Sequence, residues 1–289
     1  MEAKMISIKV ADVIKQYPAG VCYEEIAKDF QKEFDSRIVL AIVNSKLNEL
    51  HKKVYNDCEI SFKTVKDRTG YKTYRRTASF VVIKAVYDVV GADKLTKIKT
   101  EFSIGRGLYF SIFGDVTVDD ELVAKIKKRA DEIITANLPI VKTSYNIDDA
   151  IALFHSNGMF DKERLFKYRR ASRVNVYSLD GFCDYFYGYM CPSTGYIEHY
   201  NLYQYDKGIV MMMPERKTPD IVSEFVPSPK LYNTMMESTE WGNVFGIDTV
   251  GALNDKICHG GLEELILVSE ASLQRQSTVW VVTEEMVMP

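Results

Sequence analysis

Apolar and polar residues alternate at the start of the chain, in "MISIKVADVIKQYP", and that period of two predicts a strand. The period then changes. In "CYEEIAKDFQKEF" the apolar positions Tyr23, Ile26, Ala27 and Phe30 recur at helical spacing. "RIVLAIVNSKLNEL" is β-branched and breaks at Asn44-Ser45 like a hairpin, and "CEISFKTV" reads as a closing strand. Strand, helix, strand, strand within one short segment suggests a β-grasp type of unit. The basic and aromatic stretch "KDRTGYKTYRR", around Gly70, is the best linker candidate. Beyond it Phe80, Ile83, Val86 and Val89-Val90 mark a helix that ends at Gly91. "TEFSIGRGLYFSIFGD" predicts two strands across a Gly-Arg-Gly turn. "TVDDELVAKIKKRADEIITANLP" predicts a strong helix. Thr117 can cap it, Pro139 stops it, and Leu122, Ile126, Ile133 and Ile134 line one face. "NIDDAIALFHSNG" predicts a shorter helix closed by Gly158.

From Asn175 to Met213 the chain is rich in Tyr and Val, and several antiparallel strands are expected there, "DYFYGYMCPSTGY" among them. Pro219, Pro227 and Pro229 punctuate a connector. "KLYNTMMESTEWGNVFG" and "VGALNDKICHGGLEELILVSEASLQRQ" read as helical, and "STVWVVTEEMVMP" as β-like.

Composition narrows the class. A chain of 289 residues with 46% hydrophobic and 27% charged residues suits about two globular domains. The formal charge of −3 gives no global nucleic-acid signature, so an RNA site would have to be a local basic patch. Five widely spaced cysteines without a CxxC pair argue for reduced thiols and a cytoplasmic protein. The opening residues lack the apolar core of a signal peptide, and no apolar run approaches the ~20 residues of a membrane span. Neither a membrane nor DNA is expected as a partner.

The common catalytic patterns are missing. His51, His155, His199 and His259 are too scattered for a recognised metal site, so no metal is expected. There is no GxxxxGK[ST] loop and no GxSxG or local cysteine-protease signature. Two stretches interleave cations with aromatics. "KTVKDRTGYKTYRR" carries Lys72, Arg75 and Arg76 beside Tyr71 and Tyr74, and "DKERLFKYRRASR" carries Lys167, Arg169 and Arg170 beside Phe166 and Tyr168. Such residues can hold phosphates and stack bases. They also suit a solvated charged face over buried aromatics.

Longer motifs carry a family resemblance. The first segment resembles a TGS domain, on "YEEIAKDF" and "VLAIVNSKLNELHKKVYNDCEISF". The middle resembles the second additional domain of threonyl-tRNA synthetase, which hydrolyses mischarged seryl-tRNA, on "GRGLYFSI", "ELVAKIKKRADEIITANLPI", "AIALFHSNGMFDKERLF" and "DYFYGYMCPSTGYIEHYNLY". The same pair of domains precedes the P-loop domain of bacterial uridine kinase-like nucleoside kinases. "RTASFVVIKAV", "SPKLYNTMMESTEWG" and "VGALNDKI" resemble that family more closely. The editing site of the synthetase uses an HxxxH and a CxxxH pair. By the resemblance these fall on Arg76 and Phe80 and on Phe186 and Met190, so the imidazoles are lost. Tyr109, Lys162 and Asp184 match other pocket positions.

The expected fold is α+β. A TGS-like β-grasp domain (1–66) and a linker (67–75) lead to an editing-domain-like module of antiparallel sheet and helices (76–218). A connector with a helical segment (219–289) follows, which would lead to a kinase domain. The resemblance implies a ligand-binding or regulatory region of a uridine kinase-like protein, without catalytic residues or cofactor of its own. ATP and Mg would belong to the kinase domain, and a nucleoside, nucleotide, amino acid or tRNA would be the ligand. The pocket candidates are Tyr109, Lys162, Asp184, Arg76, Phe80, Phe186 and Met190. A tRNA-binding module that has lost editing and an interaction scaffold are the two alternatives.

Overall fold

The computed structural model describes residues 4–271. Its described residues fall into two compact units. One takes in the chain up to Ser144 together with Asn175–Pro229, and the other takes in Tyr145–Val174 together with the residues from Lys230 on. The β-like stretch expected at 277–289 lies outside the described residues.

The first unit opens with a hairpin, β1 (Met5–Val10) and β2 (Val13–Pro18). Helix α1 (Tyr23–Phe30) follows, then β3 (Ile38–Val43), β4 (Lys46–Glu49) and β5 (Cys58–Thr64). The sheet order is β2-β1-β5-β3-β4. β1 and β5 run parallel, and the other pairings are antiparallel. Alternation sends Ile6, Ile8 and Val10 inward, where they meet Ile26, Ala27 and Phe30 of α1 in one core. The hairpin break at Asn44-Ser45 is there, with both residues at positive φ, as a two-residue turn needs. β2 is an addition to the strand, helix, strand, strand order expected from the sequence. The exposed Val13 and Ile14 hide its edge-strand character.

The stretch read as a linker is the start of α2 (Arg68–Val90). Helix α2 begins against the first sheet rather than after a gap. A Cβ on Gly70 would lie 1.9 Å from the Thr64 carbonyl oxygen, so only glycine allows that approach. Further along, Ala78, Phe80, Val81, Val82, Ile83, Ala85 and Val86 are all buried, so α2 is a core helix without a polar face there. Strands β6 (Leu95–Ile104) and β7 (Gly107–Gly114) form the expected hairpin. Helix α3 (Asp120–Thr135) is capped by Asp119, whose carboxylate accepts from Leu122 N at 2.8 Å, and not by Thr117. Its buried face is Val123, Ile126, Ala130 and Ile133, one position off the predicted stripe at both ends. Leu122 and Ile134 pack partly buried at the margin of the core.

Strands β8 (Val141–Asn146), β9 (Arg173–Leu179) and β10 (Phe182–Asp184) make a three-stranded sheet in the order β10-β9-β8. β11 (Asn201–Tyr205) and β12 (Gly208–Met212) complete an antiparallel sheet, β11-β12-β7-β6. "DYFYGYMCPSTGY" is not a strand beyond Asp184. Residues 185–200 run irregularly with one 3-10 turn at Thr194–Tyr196. Gly188 at φ +127° and Pro192 break a ladder here. The segment is held instead by α2 and by the end of α3. Thr194 Oγ1 donates to Ile133 O at 2.7 Å and accepts from Leu138 N at 2.9 Å.

The second unit is helical. It contains α4 (Ile147–Ser156), α5 (Phe160–Phe166), α6 (Pro229–Val244) and α7 (Val250–Cys258). Arg164 and Tyr168 both bond the Asp255 carboxylate of α7. The long helix expected from Val250 onward breaks after Cys258, where Gly260 takes φ +82°. No helix of the described residues is long and apolar enough to cross a membrane.

Candidate functional site

Four of the sequence candidates meet on the inner face of α2. Phe80 is fully buried, with its ring 5.2 Å from Phe186 and 5.9 Å from Phe182. Arg76, one turn earlier, donates from Nη1 to Tyr189 O at 2.6 Å. Its guanidinium lies over Gly188, where an added Cβ would sit 2.5 Å from Nη2. Met190 is buried, and its sulfur lies 3.6 Å from Thr77 Oγ1. Rings and a thioether therefore fill this corner. None of these side chains can serve as a general base at neutral pH.

Beside them is a buried polar network that no sequence motif flagged. Glu49, at the end of β4, has a side chain with 0% exposure. Its Oε1 accepts from Tyr177 Oη at 2.6 Å and from Met190 N at 2.9 Å. Its Oε2 accepts from Lys142 Nζ at 2.8 Å. Tyr177 Oη also lies 2.6 Å from Gly188 O, so its one proton is shared between two acceptors. Burial, reinforced by Glu49, pushes the Tyr177 hydroxyl well above the usual tyrosine range. Burial lowers the His51 imidazole, which stands 4.0 Å from Glu49. One sign was available in the sequence: Glu49 and Leu47 share a parity in β4, which places the acid on the inward face.

The other candidates lie elsewhere. Tyr109 is buried in β7 and stacks on Phe102, with centroids 5.4 Å apart. Asp184 is buried at the end of β10, and its Oδ1 accepts from Tyr185 N at 2.6 Å. Lys162 belongs to the second unit, on α5, 3.3 Å from Asp161. Of the second basic stretch, Lys167 pairs with Glu163 at 3.4 Å and Arg169 lies over the Phe166 ring at 5.8 Å. Arg170 is exposed.

Lys72 and Arg75 lie in a cleft with Arg68, Tyr71 and Arg216. No motif in the sequence marks Arg216. Its only sign is the charged "ERK" that follows Pro214.

Cysteine chemistry is also decided by burial. Cys191 is enclosed, and burial pushes its thiol up to about 12. The unfolded chain releases that proton near the ordinary value of 9.0, while the folded chain keeps it. This contribution to stability is therefore complete below pH 9.0 and lost as the pH rises above it. At pH 8, iodoacetamide is expected to label the exposed Cys258 in the native protein and Cys191 only after denaturation. Peptide mass spectrometry reads both, and equal native labelling of the two would contradict the enclosed position of Cys191.

Over about two thirds of its length the chain is similar to threonine–tRNA ligases. It is 29% identical over 201 residues to the threonine–tRNA ligase of Thermotoga petrophila, covering 68% of this chain and 30% of the relative. It is 28% identical over 200 residues to that of Syntrophotalea carbinolica and 26% over 200 residues to that of Rickettsia akari. In both cases 68% of this chain and 31% of the relative are covered. The chain thus spans under a third of the length of these curated relatives. No family model matches it.

Proposed function

We propose that the chain is a tRNA-binding module, related to the editing region of threonyl-tRNA synthetase, in which hydrolysis has been lost. In this reading the first sheet with α1 is a TGS-like β-grasp domain. The rest of the first unit is the counterpart of the editing domain. The observation that carries the reading is the conjunction of two facts. Similarity to threonine–tRNA ligases covers 68% of the chain. The positions that the resemblance gives to imidazoles hold Arg76, Phe80 and Met190, and the position it gives to the cysteine holds Phe186, whose ring packs on Phe80. Without a base tuned near neutral pH, an ester bond at this place has nothing to activate water. The comparisons favour this reading over a regulatory region of a nucleoside kinase, because the relatives named are all tRNA ligases.

Fluorescence anisotropy with end-labelled tRNA tests it. The chain is expected to bind tRNA, with log affinity falling linearly against log salt as counterions are released. Replacing Lys167 and Arg170 by alanine is expected to lower the magnitude of that slope by about one per phosphate contact removed. Failure to bind tRNA even at low salt would overturn the proposal.

A further inference from the structure

We propose that the cleft around Tyr71 is a binding site for a nucleoside phosphate, taken either free or as the terminal nucleotide of an RNA strand. The inference does not rest on the similarity to tRNA ligases. It rests on two adjoining hollows of opposite character that share one aromatic residue.

Residues 68, 71, 72 and 75 are spaced i, i+3, i+4 and i+7, so they lie on one face of α2. Arg216 joins them from the segment after β12. The four cations Arg68, Lys72, Arg75 and Arg216 are exposed, and none has an ion-pair partner among the described residues. Unpaired like charges in one cleft repel each other, and a phosphate dianion relieves that repulsion with charge-assisted hydrogen bonds. A merely solvated face usually interleaves acids with its bases, as Lys125 and Glu121 do on α3.

Tyr71 also lines the neighbouring pocket, which has a different lining. There Ser36 Oγ is buried and has no hydrogen-bond partner among the described residues. A buried hydroxyl left unpaired is unfavourable, and a ligand hydroxyl or amine can satisfy it. The same pocket carries three carboxylates. Glu198 is 3.7 Å from Arg37, Glu215 is paired with Arg106, and Asp220 is exposed at the rim. This hollow holds about 30 Å³, so of a nucleoside it takes no more than a single hydroxyl or amine, and the rest lies over Tyr71 and the cationic cleft. Between the two hollows the half-buried Tyr71 ring offers a stacking face. Burial, with Glu215 adding to it against Arg75, raises its hydroxyl, so Tyr71 stays a neutral donor.

Isothermal titration of the full chain with AMP, adenosine, inorganic phosphate and a trinucleotide RNA with or without a 5′-phosphate tests the assignment. AMP is expected to bind at least about tenfold more tightly than adenosine or inorganic phosphate. The Arg75→Gln/Arg216→Gln variant is expected to lose about tenfold or more in AMP affinity while adenosine binding is unchanged. Ser36→Ala is expected to weaken AMP and adenosine alike. Both charge substitutions are at exposed positions, and circular dichroism checks that the fold is kept. Binding of the phosphorylated trinucleotide without AMP would assign the site to an RNA end, and binding of both would assign it to either source. The proposal is overturned if neither AMP nor the phosphorylated trinucleotide binds saturably, if inorganic phosphate binds as tightly as AMP, or if the charge variant binds AMP like the wild type.

Discussion

Glu49→Ala is expected to lower the free energy of unfolding by about 3–5 kcal/mol, the range for breaking a buried ion pair by removing one partner. The size follows from how much the carboxylate holds. It takes hydrogen bonds from a phenol, a backbone amide and an ammonium group, from three separate parts of the chain. Alanine would orphan the Met190 N–H and the Lys142 charge together. Lys142→Ala should cost less than Glu49→Ala, because Glu49 keeps Tyr177 and the amide of Met190. Tyr177→Phe should cost least, about 1.5–3 kcal/mol for one hydrogen bond to a charged group. The side-chain exposures, 0% for Glu49 and 18% for Lys142, support that order. Urea denaturation of the three variants reads it. A Glu49→Ala protein within about 1 kcal/mol of the wild type would contradict the network's structural role, since exposed pairs are worth that little.

Phe80→Ala is the second large effect, with an expected cost of about 3–5 kcal/mol. The ring is fully buried and contacts two other rings, so alanine removes apolar burial and leaves a void between Phe182 and Phe186. Phe80→Leu, which refills most of that space, should cost under about 1.5 kcal/mol. The same denaturation series separates them. Equal stability of the alanine and leucine variants would show that the corner relaxes around the loss. Phe80→His is expected to leave the chain unable to hydrolyse an aminoacyl ester. The imidazole would stand among rings, with Arg76, Phe186 and Met190 still in place of its partners. Hydrolysis by that variant would mean that one imidazole is enough.

Local periodicity made much of the first unit legible. The hairpin at Asn44-Ser45 and the stripe of α1 stood out because short-range spacing dictates them. Helix α2 was harder. Its first two turns are basic and contain Gly70, which reads as a break. The glycine is instead a contact point where the helix meets the Thr64 carbonyl. "DYFYGYMCPSTGY" misled in the other direction, since its aromatics suggest a strand. The segment is fixed by long-range hydrogen bonds, from its backbone to Arg76 and Thr77 and from the Thr194 hydroxyl to Ile133, which no local window contains. The site divides in the same way. Missing imidazoles can be read position by position, once a resemblance supplies the positions. The Glu49 network cannot, because its members lie as many as 141 residues apart. The cleft around Tyr71 was half visible as a basic-aromatic run, and Arg216 enters it only through the tertiary fold.

In the proposed function the chain binds tRNA and leaves its ester bond intact. The most direct measurement incubates the purified chain with seryl-tRNA labelled on the amino acid. Filter retention and acid-precipitable label are then followed in one sample. Retention of the tRNA is expected, with deacylation no faster than in buffer. Turnover of the ester by the wild-type chain would contradict it.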